Sequence, residues 1–381
     1  MYRTEKRMMT KFSFLALMFL VFAPLLAGCT SQLQKEPRAS ENTNKPDVRP
    51  PLGETWKLPI DIPEGSFNKL AGWFSDDQVL YITNLEQTSY LYLYQLATGE
   101  SELLYKSEEP IVNVEISPDF KHILIHSSPS TYEGIITIID SSGLEITRKS
   151  FPSYELVFEW NPYNGSEILI TSFFEDWTFQ MQLLDIKNKK TRDVSIKQPF
   201  IKWLREDEIV FLDWDDENPS LLAPLVSKNL GIEDERTIFP DVFQFSTFQD
   251  VLMTIGVNKQ DTLQSSYSFF TKELELLFSF SMPQLSMYSG WFVPSYDYNL
   301  SSGEFITFKP LRSGEADSYA EDFELVSYDV KKGTSTLILE GMKHEPIMFS
   351  PSGKALLYGN QFEKIIDIKD KKIYEMITNV N

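Results

Sequence analysis

VNVEISPDFKHILIHSSPSTYEGIITIIDSSGLEITRK, residues 112–149, decides the fold. It holds four short apolar or alternating runs, VNVEIS, HILIHSS, GIITIID and LEITRK, set apart by Pro, Asp, Gly and Ser. Alternation over five to eight residues, bounded by turn formers, predicts antiparallel strands. SPDF at 117–120 suits a reverse turn, since Pro presets φ and Asp bonds back to the backbone.

The pattern recurs on both sides. LAGWFS, QVLYIT, YLYLYQL and ELLYK precede it. LVFEW, EILITSF, TFQMQLLD and TRDVSI follow it, and PIMFS, KALLYG, KIIDI and KIYEMI come last. A bulky residue closes each first run, at Phe74, Ile116, Trp160, Trp203, Phe245, Phe292 and Phe349, at intervals of 42, 44, 43, 42, 47 and 57. Four strands per repeat of about 40–45 residues predict an all-β chain folded as one β-propeller of four-stranded blades. The repeat count gives seven blades. The bulky series is expected to pack between neighbouring blades, because a blade cannot bury both its faces alone. A fan of blades must also be joined first to last. TWKLPIDI, residues 55–62, is expected to add a strand to the last blade and latch the ring.

The N-terminus reads differently. A basic stretch carrying Arg3, Lys6, Arg7 and Lys11 precedes FSFLALMFLVFAPLLAG, 17 residues without a charge. That is the layout of a secretory signal over 1–28, too short and too interrupted by Pro24 for a comfortable membrane span. The next residue, Cys29, is the only cysteine in the chain, so no internal disulfide can form. Residues 29–54 are rich in Pro, Ser, Asn and charge, and predict a flexible linker; the propeller is expected over 55–381. The net charge is −20, with +3 in the signal and −23 on the remainder. Such a surface repels nucleic acid and anionic headgroups.

Leu26, Ala27 and Gly28 before Cys29 resemble a bacterial lipobox. The resemblance implies a thioether-linked diacylglycerol on Cys29, exposed as the first mature residue after cleavage, with the protein held on the outer side of the cell membrane. ISPDFKHILI and FSPSGKALLYG look like the turn-and-strand signature of WD40-like and TolB-like propellers. With LAGC, the whole layout is similar to the YqgU-like propeller lipoproteins of Gram-positive bacteria. That resemblance implies six blades where the repeat count gives seven. It implies a location and a fold, and no reaction.

Strands a to d of a blade alternate in direction, so a–b and c–d turns share one end of the disc and b–c and d–a loops the other. The b–c loops are the longer and chemically richer set. Glu175, Asp176 and Trp177 in FFEDW lie one blade from Asp213, Trp214, Asp215, Asp216 and Glu217 in DWDDENPS. Aromatic faces and carboxylates together suit a cationic peptide, a sugar or a metal ion. Asp213, Asp215 and Glu217 have the alternating spacing of a calcium loop, but Asn218 and Pro224 stand where an EF-hand needs Gly and Glu. His122 and His126 are about 13 Å apart along a strand, too far to share one metal. There is no GxSxG, phosphate loop, dinucleotide fingerprint or HExxH. The expectation is a non-enzymatic module without a cofactor that binds a protein or peptide at the membrane. Capture of a small ligand or Ca²⁺ is the alternative, and a wall-polymer hydrolase the weaker one.

Overall fold

The structure, a computed structural model, describes residues 52–378 apart from 216, 219, 233, 259 and 289. The signal, Leu26, Ala27, Gly28, Cys29 and the linker up to residue 51 lie outside the described residues.

The described residues form seven four-stranded antiparallel sheets, spanning 66–107, 111–152, 155–194, 201–242, 244–283, 296–342 and 347–375. Each sheet is built from one contiguous piece of chain, and none borrows a strand from another. The reason is local. β-Branched and aromatic residues fill the strands, and four-residue c–d turns carry left-handed residues such as Gly99, Gly143 and Lys189. In the a–b turn of blade 2, Ser117 Oγ accepts the N–H groups of Lys121 and His122, and donates to Asp119.

Seven apolar clusters lie between the sheets, one per neighbouring pair. Ile123 and Leu80 join blades 1 and 2; Trp160 and Ile136 join 2 and 3; Trp203 and Leu183 join 3 and 4. Leu225 and Leu252 join 4 and 5; Phe305 and Phe269 join 5 and 6; Phe349 and Phe308 join 6 and 7. The seventh cluster sets Trp73, Tyr81 and Leu96 of blade 1 against Leu357 and Ile365 of blade 7. The ring is therefore closed, and its core is distributed among seven interfaces.

Two expectations are corrected. Residues 55–62 are not a strand. After a short 3₁₀ turn, Leu52–Thr55, they run as an extended strap. Its Lys57 N–H donates to Leu96 O of blade 1 (2.7 Å) and its Ile60 N–H to Met376 O of blade 7 (2.8 Å), with Trp56 and Ile60 buried at the seam. Pro59 and Pro63 bring no N–H, so the segment cannot sustain a ladder. Phe292 does not close a first strand either. It ends Gly290–Phe292, which pairs with Leu285–Met287; that strand runs parallel to Gly314–Glu315 in a small three-stranded sheet. The first strand of blade 6 is Tyr296–Asn299. This insertion accounts for the long intervals around Phe292.

Candidate functional site: the loop face and the channel

At the b–c and d–a end, the FFEDW loop places Trp177 in a left-handed turn (φ 63°) with 80% of its surface exposed. Asp176 fixes that turn by accepting from the Thr178 N–H and hydroxyl, which holds its carboxyl below the usual range; Glu175 is exposed beside it. Trp214 is half-buried and lines a cavity of about 250 Å³ with Phe200, Lys202, Leu212, Gln244 and Phe245. Phe200 is itself 64% exposed and lies against Phe173, ring centroids 5.6 Å apart. Tyr132 and Tyr154 meet edge to face at 5.2 Å on the loops of blades 2 and 3. The exposed apolar set thus follows neighbouring loops from blade 2 to blade 4. Further round, the small sheet raises a hairpin with Tyr288 fully exposed, and Leu263 and Leu311 stand exposed on nearby loops. Sequence reading missed Tyr132, Tyr154, Phe200 and Tyr288, because a lone aromatic in a loop carries no periodic signal.

The described acids of DWDDENPS have separate partners. Asp213 faces Lys197 at 4.0 Å. Asp215 accepts from the Glu217 N–H and from Asn218, closing its own turn. Asp216 is outside the described residues. Among the described residues no group of three His, Cys, Asp or Glu is arranged to hold a metal ion. Of the calcium-like set, Asp215 is engaged in turn geometry and Asp213 faces a lysine.

The second candidate lies where the first strands of the blades meet. Register sets Gly72, Glu115, Glu159, Lys202, Asp297 and Met348 at the same level, opposite Leu80, Leu124, Leu169, Val210, Ile306 and Leu357. Where charged, each stands one residue before the bulky packing residue of its blade. Two cavities share Glu115, Pro118, Tyr298 and Leu300 here, of about 470 Å³ and 370 Å³. The larger opens among the a–b turns of blades 2, 6 and 7, so it faces the end opposite Trp177 and Trp214.

Charge in this channel is organised. Lys202 Nζ donates to Glu159 Oε2 at 2.5 Å. Burial alone would lower the lysine, but Glu159 and then Glu115 hold it protonated, above its ordinary value. Burial pushes the Glu115 carboxyl up to about 7, with the Glu159 charge adding, against the pull of Lys202, Asn113 and Lys69. Burial likewise raises Asp297 to about 6, although it accepts the Phe349 N–H at 2.6 Å and the Tyr298 N–H at 2.8 Å. The histidines take no part in this network. His126 is buried against Phe158 and burial pushes it down to about 4; His344 accepts the Ser295 N–H at 2.7 Å.

Residues 95–359 match the family model described as a YqgU-like 6-bladed beta propeller domain. The uncharacterized lipoprotein YqgU of Bacillus subtilis (strain 168) is 25% identical over 370 residues, covering 97% of this chain and 98% of that one. The crystal structure of protein lmo1340 from Listeria monocytogenes EGD-e superposes with a TM-score of 0.78 at 26% identity, over 84% of this chain and 97% of that chain. The β-propeller domain of the Trilobed protease from Pyrococcus furiosus has a TM-score of 0.53 at 14% identity, over 82% of this chain and 97% of that chain. That last likeness shows the fold alone. The family's description has six blades, whereas the described residues here form seven four-stranded sheets. The matched span omits most of the first sheet and the last two strands of the seventh, so the two counts refer to different lengths of chain.

Proposed function

Because this chain belongs to the YqgU-like six-bladed β-propeller family, we propose that it works as a lipoprotein displayed outside the cell membrane, where it binds a protein or peptide partner through its b–c and d–a face. The lipobox-like LAGC and the lipoprotein relative support the anchor. The single observation that carries the binding role is the exposed aromatic row of Tyr132, Tyr154, Trp177 and Phe200, continued by Trp214 in its cavity. Water penalises large exposed apolar area, and such area in one region marks an interaction surface. Flanking Glu175, Asp176, Asp213, Asp215 and Glu217 favour a partner with basic groups among apolar ones. The −23 on the chain after its signal disfavours direct adsorption to an anionic bilayer, so on this reading the lipid supplies the attachment and the propeller the recognition.

The test is face-resolved cross-linking in membranes. A photo-reactive residue at Trp177 or Phe200 should give discrete, reproducible adducts. One at Leu144, exposed on a c–d turn at the other end, should not. Equal labelling from both ends, or adducts unchanged by a Trp214→Ala background, would remove the loop face from consideration.

A further inference from the structure

The cavity at the a–b end is not explained by a partner on the opposite face. Blade 1 contributes Gly72 where other blades bring a side chain, and a Cβ there would come within 3.2 Å of Met348 Sδ. Its lining combines Trp73, Phe120 and Phe349 with Glu115, Asp297 and Asn299. Phe120 is the informative member. It sits in the left-handed region (φ 57°) of the blade 2 turn, while the equivalent turn of blade 7 places Gly353 there (φ 73°). A non-glycine residue in that conformation carries strain, and this one points an aromatic ring at the cavity mouth with 42% of its surface exposed.

We propose that this cavity binds a small organic cation, an alkyl- or arylalkylammonium, with its apolar body among Trp73, Phe120 and Phe349 and its N–H groups toward Glu115 and Asp297. An apolar pocket with a few convergent polar groups is the usual form of a small-molecule site. Aromatic faces and carboxylates together select positive charge. With the Lys202–Glu159 pair neutralising itself, Glu115 and Asp297 are left as the acceptors beside the cavity. The groups around Glu115 are Glu159, Lys202, Lys69 and Asn113, and those on Asp297 are the Phe349 and Tyr298 N–H groups. Both carboxyls are partly protonated near neutrality, so affinity for a cation rises between pH 5 and 8.

The test uses the purified full-length protein and three probes of one shape: 4-phenylbutylammonium, 4-phenylbutanol and 4-phenylbutyrate. Binding is read by ligand-observed NMR and by the change in tryptophan fluorescence that is lost in Trp73→Phe. The ammonium should bind about tenfold or more tightly than the alcohol, and the carboxylate least. Glu115→Gln should remove most of that preference and flatten the pH dependence while leaving the alcohol unchanged. Phe120→Gly should weaken ammonium and alcohol alike without lowering the melting temperature, because it also relieves the left-handed strain. Equal affinity for ammonium and alcohol in the wild type, or a preference that survives Glu115→Gln, or no binding by any probe, overturns the proposal.

Discussion

Trp73 and Trp203 offer a matched pair for testing how the ring is held. Trp73 is 3% exposed and donates its Nε1–H to Met348 O at 3.1 Å; Trp203 is 1% exposed and donates to Glu159 O at 3.2 Å. Each reaches the first strand of the preceding blade by the same geometry. Burying about 200 Å² of indole at about 25 cal/mol per Å² gives about 5 kcal/mol. That figure is an upper one, since unfolded chains already bury some surface. The hydrogen bond adds about 1 kcal/mol. Truncation to Ala should therefore cost about 4–5 kcal/mol at either site, within the range for buried tryptophans. The sites differ in what the loss releases. The interface of Trp203 joins blades that follow one another directly in the chain. The interface of Trp73 is the seam between the first and last blades, held besides by the strap. Urea unfolding followed by circular dichroism should give similar losses for Trp73→Ala and Trp203→Ala. Hydrogen exchange should show early opening at 66–75 and 347–358 in Trp73→Ala alone. A cost below about 2 kcal/mol for Trp73→Ala, or seam amides as protected as those of blade 3, refutes the reasoning.

Other outcomes can be checked alongside. Glu115 and Asp297 titrate near 7 and 6 in the folded protein, above their ordinary 4.5 and 3.8. The fold thus holds protons the unfolded chain releases, and this stabilisation is full below about pH 4 and lost as pH rises through 6 to 7. Glu115→Gln and Asp297→Asn should flatten that loss in urea midpoints taken across the window; an unchanged slope contradicts the assignment. Trp177→Ala and Phe200→Ala should shift stability by no more than about 0.5 kcal/mol, because both side chains are largely exposed, and a larger loss of melting temperature would mean they pack rather than bind. Trp56→Ala should cost about 3 kcal/mol through the strap, measured by the same urea series. Mass spectrometry of the exported protein should find a diacylglyceryl group on Cys29, and a bare Cys29 would exclude a lipid anchor.

The blades were legible because their signals are local. VNVEISPDFKHILI carries alternation and a turn within fourteen residues, and the fold repeats that solution. Phe292 misled for the same reason. GWF occurs at 72–74 and again at 290–292, but only the first lies in a blade; the second belongs to a hairpin whose partner strand is more than twenty residues away. Trp177 and Trp214 were found as loop aromatics, and the structure brings both to one end of the disc. The channel was not found. Glu115, Glu159, Lys202 and Asp297 each interrupt an apolar run, and one polar residue in a strand reads as solvent-facing. Only the circle turns that side inward. The regular signal was their position, one residue before the packing residue, visible once the blades are aligned.

Each four-stranded sheet takes its strands in chain order from one stretch of residues, and the first and last blades meet without trading strands. The order of blades is therefore cyclic in all but one linkage. New ends could be opened in a loop between neighbouring blades and the first and last blades joined at the seam, leaving every four-stranded sheet intact. Within such a circle, inserting or excising one whole segment alters only the radius and the number of walls around the central space.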